Sequence, residues 1–140
     1  PAILLGQDDA VEPLARYGRD VGRAFQIQDD LLDLTRSSTQ LGKQRGSDLV
    51  EDKETLVTTH ARTQGVDVDG LVDAESASEL DEAAVEAAVA ELEAAGSIDY
   101  ARQTARDLVA SGKAHLEVLP DNEGSAQLAA VADYLVDREF

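Results

Sequence analysis

Three aspartates, Asp29, Asp30 and Asp33, stand inside the run FQIQDDLLDLTR, whose other residues would make an ordinary amphipathic helix. Side chains three and four apart on a helix lie about 5–6 Å from each other, where like charges repel and resist burial unless something neutralises them. The chemistry that suits such a cluster is a divalent-cation site. Magnesium is hard, prefers oxygen, and commonly takes one or two carboxylates while water and phosphate oxygens complete its shell. The competing reading is a solvated acidic face, and composition supports it: 29 acidic residues oppose 12 basic ones, a net charge of -17 on 140 residues.

On a helical wheel, Leu14, Tyr17, Val21, Ala24, Phe25, Leu31 and Leu32 share an arc of roughly 120°, the expected core-facing stripe. Gln26, Asp29, Asp30 and Asp33 share a separate arc of roughly 100°. The carboxylates are therefore clustered. Cationic groups follow them, since Lys43 and Lys53 are two of only three lysines in the chain. Gly42 and Gly46 would let the intervening loop fold back and present backbone N–H donors, so a diphosphate is a natural co-ligand of the cation.

The elements that must position these residues are helical. Asp9 to Glu12 has capping-box spacing, Pro13 is tolerated in a first turn, and the helix so opened runs to about Leu34. A polar, glycine-bearing segment follows, then a short helix around 54 to 64 that Gly65 can end. Residues 66 to 78 read as a surface connection, and further helices cover about 79 to 95, 98 to 118 and 125 to 138. No strand alternation is sustained, which predicts an all-α fold. The block ESASELDEAAVEAAVAELEAA, residues 75 to 95, reads as a helix with a solvated acidic face and a seam of Ala and Val. His60 and His115 have no ligand-spaced partner and read as surface or helix-packing residues. The stretch GVDVDG at 65 to 70 lacks both charged anchors of a calcium loop. Gly18 and Gly22 form a GxxxG, read as a close-packing seam between helices.

Charge argues against nucleic acid or an anionic membrane as a direct partner. There is no cysteine, hence no disulfide or thiolate chemistry. No apolar run reaches the roughly 18 residues of a transmembrane helix, and a cytoplasmic location is expected. Nine arginines against three lysines, with abundant Asp and Glu, resemble the composition of proteins from salt-loving microbes. The start PAILLGQDD lacks methionine and opens within an apolar run, which reads as a cut end.

The run YGRDVGRAFQIQDDLLDLTRSSTQLGKQRGSDLVEDKETL resembles the second aspartate-rich motif of the trans-isoprenyl (polyprenyl) diphosphate synthases of geranylgeranyl and farnesyl type: FQ, then DDxxD, GK, a Gly-x-Asp, and a second Lys before Thr-Leu. More loosely, Ile98 to Ala114 resembles the family's Ala-rich helix, and the last 25 residues resemble its Leu-Pro turn and final helix. The resemblance implies residues 1–140 as the C-terminal part of an isoprenoid-synthase helical bundle, with Mg²⁺ as cofactor and allylic and isopentenyl diphosphates as substrates. It also implies a homodimer in the full-length form. Carried over by position, Asp29 and Asp30 would serve the metal and Asp33 would be a ligand or water-mediated partner. Lys43 and Lys53 would steady the allylic diphosphate, Gln26 and Asp48 would orient the site, and Phe25 would support it.

Two departures stand out. The family's usual glycine before the second lysine is Asp52, and a frequent proline after Thr-Leu is Val57. The first aspartate-rich motif and the upstream isopentenyl-diphosphate residues have no match in these 140 residues. The expectation is therefore half of a metal site, without independent turnover. The alternative is a non-catalytic subunit or truncated product that binds Mg-diphosphate or a partner.

Overall fold

A computed structural model describes residues 6, 8–36, 45–71 and 82–136. Its described residues form helices α1 (Val11–Thr35), α2 (Ser47–Val50), α3 (Leu56–Thr63), α4 (Glu82–Ala94), α5 (Ser97–Leu116) and α6 (Glu123–Val136), with 3-10 turns at Asp8–Ala10 and Val68–Gly70. No strand occurs among them, as the helical periodicity predicts. The long first helix, the short helix before Gly65 and the three later helices all form close to their expected places. Helix α2 is an addition, lying where the sequence reads as polar loop.

The chain divides into two compact units. One holds residues 1–28 and 104–140, the other residues 29–103, so α1 and α5 each contribute to both. The first unit has an apolar core of Tyr17, Val21, Ala24 and Ile27 from α1, Ala105, Val109 and Leu116 from α5, and Ala132 from α6. At Gly112 of α5 a Cβ would stand 2.8 Å from Cγ2 of Val21, so a bare backbone is what allows this approach. Among the described residues Gly18 and Gly22 do not make the expected seam: both are exposed, with no described atom within 4 Å of a Cβ. They lie about 100° around α1 from Tyr17 and Val21, off the buried face.

The second unit packs Val57 and Ala61 of α3 with Val85, Ala88, Val89 and Leu92 of α4 and Ile98 and Ala101 of α5. The α4 positions recur at i, i+3, i+4 and i+7, the seam its sequence predicts. Full burial of side chains such as Leu92 and Ile98 is worth roughly 1.5–3 kcal/mol each. Thr55 opens α3 with a reciprocal cap, its Oγ1 accepting from the Thr58 N–H at 3.2 Å while Thr58 Oγ1 accepts from the Thr55 N–H at 2.9 Å. His60 stacks on Tyr100 with ring centroids 4.2 Å apart, and its Nδ1 lies 3.0 Å from Ser97 Oγ. His115, in the first unit, lies 3.2 Å from Asp20. Both histidines are thus packing residues, as their isolation in the sequence suggests.

On α1 the buried face departs from the expected stripe. Ile27, Asp30, Asp33 and Leu34 are buried toward the helix end, whereas Phe25 is 42% exposed and Leu14 and Leu32 are half-buried. For Asp30 and Asp33 the reason is visible within the second unit, where Ser47, Asp48 and Lys53 bond to their side of the helix.

Candidate functional site

The last turns of α1 and the segment 45–53 are joined by hydrogen bonds to buried carboxylates. Asp33 is 1% exposed; its Oδ1 accepts from Ser47 Oγ at 2.8 Å and its Oδ2 from the Asp48 N–H at 3.0 Å. Its carbonyl accepts from the Gly46 N–H at 2.9 Å. Gly46 can do this because its φ of 74° is left-handed and because a Cβ there would meet Val85 at 2.9 Å. Asp33 therefore fixes the start of α2, and α2 places Asp48.

Lys53 closes the arrangement, with Nζ 2.9 Å from Asp30 Oδ1 and 3.0 Å from Asp48 Oδ2. Its backbone N–H donates to the Asp48 carbonyl at 2.9 Å. Asp30 is 7% exposed, while the Lys53 side chain is 40% exposed. Burial pushes the Asp30 carboxyl above its ordinary range, and the hydrogen bond and charge of Lys53 offset this only in part. The Lys53 ammonium is held well above its ordinary range, first by its bond to Asp30 and then by that to Asp48. The two shifts differ because the carboxylate is desolvated and the ammonium reaches solvent. The pair secures the charge of Lys53 more firmly than that of Asp30. An ammonium has three N–H donors, so one remains for a further acceptor.

The structure thus brings Asp30, Asp33, Asp48 and Lys53 together. Asp29 is exposed beside Asp30, and Gln26 is exposed one turn earlier on α1. Phe25 is exposed as well. Lys43 and Gly42 lie outside the described residues. Among the described residues no three His, Cys, Asp or Glu side chains are gathered as a metal cage. Sequence reasoning missed Ser47 and Arg45, whose Nε donates to the Leu34 carbonyl at 2.6 Å. It also missed Arg62, which faces Asp52, Glu54 and Asp69. The glycine expected at 52 was a usable signal: Asp52 has a φ of 52°, the left-handed backbone that glycine adopts freely and Asp tolerates.

No helix among the described residues is long and apolar enough to cross a membrane. Residues 1–92 match the family model described as polyprenyl synthetase. The chain is 61% identical to a geranylfarnesyl diphosphate synthase from Natronomonas pharaonis, over 100% of this chain and 40% of that protein. It is 41% identical to a geranylgeranyl diphosphate synthase from Methanosarcina mazei, over 99% of this chain and 42% of that one. Among solved structures, a geranylgeranyl pyrophosphate synthetase from Geoglobus acetivorans superposes with a TM-score of 0.81 at 34% identity, covering 99% of this chain and 41% of the other. A polyprenyl synthase from Caulobacter crescentus, complexed with calcium and isoprenyl diphosphate, gives 0.80 at 31% identity, covering 99% and 43%. The chain spans about two fifths of the length of the relatives it matches, corresponding to their C-terminal portion. With residues 1–92, well over half of the chain, matched by the family model, the chain belongs to the polyprenyl synthetase family.

Proposed function

We propose that this chain supplies the second magnesium–diphosphate half-site of a trans-prenyltransferase, which condenses an allylic diphosphate with isopentenyl diphosphate in isoprenoid biosynthesis. One observation carries the reading: a buried carboxylate, Asp30, is held 2.9 Å from a solvent-reaching ammonium, Lys53, within the family's aspartate-rich motif. A cation and a polyanion both need partners here, and these are the two kinds of partner. The Caulobacter structure with calcium and isoprenyl diphosphate supports the same pairing of ligands.

The donor set fits magnesium bound jointly with diphosphate rather than caged by protein. Asp30 has one oxygen on Lys53 and the other left over, and exposed Asp29 adds a second carboxylate. That matches the one or two carboxylates magnesium commonly takes when phosphate completes its shell. When bound, the metal would supply Lewis-acid neutralisation of the departing diphosphate. Both oxygens of Asp33 accept hydrogen bonds, so its part is to fix Asp48 and, through it, Lys53. Lys53 and Lys43 steady the allylic diphosphate, with Gln26 and Phe25 in the orienting and supporting roles that the resemblance implies. In the reaction the allylic C–O bond breaks and its electron pair leaves with diphosphate. The double bond of isopentenyl diphosphate forms the new C–C bond, and a proton is lost.

Titration calorimetry with Mg²⁺ and inorganic diphosphate tests the site. Asp29→Ala and Asp30→Ala should each weaken binding, by about tenfold for loss of a charged ligand group. Affinity equal to the parent's in both variants would remove the assignment. The alternative, a binder of Mg-diphosphate without turnover, rests on the single DDxxD of the sequence. Incorporation of labelled isopentenyl diphosphate separates the two, and the expectation for these 140 residues alone is binding without incorporation.

A further inference from the structure

The turn carrying Lys53 is rich in negative charge, because Glu51, Asp52 and Glu54 flank Lys53 along the chain. Yet neither Asp52 nor Glu54 takes Lys53. Arg62, in the last turn of α3, draws both away: its Nη2 lies 3.4 Å from Asp52 Oδ1 and its Nη1 lies 3.3 Å from Glu54 Oε1. Asp69 joins the same guanidinium at 2.7 Å. A planar fork of five donors can serve three carboxylates at once, which an ammonium point charge does poorly. Lys53 is thereby left to Asp30 and Asp48. Asp52 is also the one non-glycine residue with positive φ among the described residues, so the backbone next to Lys53 is tethered where it is least relaxed.

We infer that Arg62 is a positioning residue of the diphosphate half-site: it sequesters the carboxylates on either side of Lys53 and so leaves the ammonium held against Asp30. The inference rests on the half-site reading above. It assigns a role to a residue outside the aspartate-rich motif that touches neither metal nor substrate.

The test is titration of the 140-residue chain with Mg²⁺ and inorganic diphosphate, each variant first checked for its helical melt by circular dichroism. Arg62→Gln should weaken diphosphate binding several-fold, and Arg62→Lys should recover part of the loss. In the Lys53→Met background Arg62→Gln should add nothing, since its effect runs through Lys53. Adding Asp52→Asn and Glu54→Gln to Arg62→Gln should restore affinity, an outcome a merely structural arginine would not give. That triple variant also answers the case in which Arg62→Gln alone fails to fold. An unchanged affinity in Arg62→Gln, or an equal loss with and without Lys53, would overturn the role of Arg62. If Lys53→Met itself binds as the parent does, the half-site reading fails first and takes this inference with it.

Discussion

The two compact units bury different things. Among the described residues the buried side chains of Asp30, Asp33, Thr55, Thr58 and Ser97 all belong to the unit of residues 29–103, and the other unit buries apolar side chains and the ring of Tyr17. Burial of a polar group costs free energy unless its hydrogen bonds are replaced, so such groups persist where geometry has to be specified. In the second unit each is bonded: Asp33 to Ser47 and Asp48, Asp30 to Lys53, Thr55 to Thr58, and Ser97 to His60. The first unit solves a simpler problem, filling space beside Gly112, and keeps its charged pairs near the surface. The contrast agrees with the proposed half-site, whose Asp30, Asp48 and Lys53 lie in the unit that holds its polar groups in fixed positions.

The comparison breaks most sharply at Asp33. Asp33→Ala removes the acceptor of two hydrogen bonds in a buried place and leaves the Ser47 hydroxyl and the Asp48 N–H without it, at about 3 kcal/mol. Denaturant unfolding should show that loss together with weaker diphosphate binding, because Asp48 no longer holds Lys53 in place. A loss below about 1 kcal/mol would mean that the polar web is incidental and that the two units differ less than their burial suggests.

How much of this was legible in the sequence depends on the range of the interactions involved. The α4 seam of Val85, Ala88, Val89 and Leu92 is a local pattern, and it reads directly. So does the clustering of Asp29, Asp30 and Asp33, since a helix puts them on one arc. Helix α2 does not read, because four residues cannot nucleate a helix and its start is tied by the Asp33 carboxylate fourteen and fifteen positions earlier. The burial of Asp30 does not read for a related reason: a wheel gives the faces of α1 but not which face segment 45–53 will cover. Arg62 was invisible for a related reason, its three carboxylates being eight, ten and seven positions away in the turns on either side of α3. Asp52 could have been read from the glycine it replaces, as a sign of left-handed backbone before Lys53.

A middle-sized effect sharpens the contrast from the apolar side. Tyr17 is the buried residue of the first unit with a polar tip, and its hydroxyl donates to the Leu128 carbonyl at 2.7 Å. Burial pushes that phenol above its ordinary range, so it stays a donor. Tyr17→Phe keeps the ring and loses one neutral bond, for about 1 kcal/mol in thermal or denaturant melts. A loss as large as that of Asp33→Ala would show that this unit too depends on a polar anchor.

The smallest effect is expected at Lys113, whose Nζ meets both oxygens of Asp133, at 2.8 and 2.9 Å, across α5 and α6 of the first unit. The geometry is good, but the side chains are 40% and 48% exposed. Water and salt screen such a pair, and ordering two long side chains offsets much of the attraction, leaving about 0.5 kcal/mol or less. Lys113→Met should therefore shift the unfolding midpoint slightly at low ionic strength, and the shift should vanish in molar salt, where screening acts over about 3 Å. Asp33→Ala should lose its stability at both salt concentrations, because buried hydrogen bonds are screened little. A large, salt-resistant loss at Lys113 would place a structural ion pair in the first unit and remove the distinction between the two units.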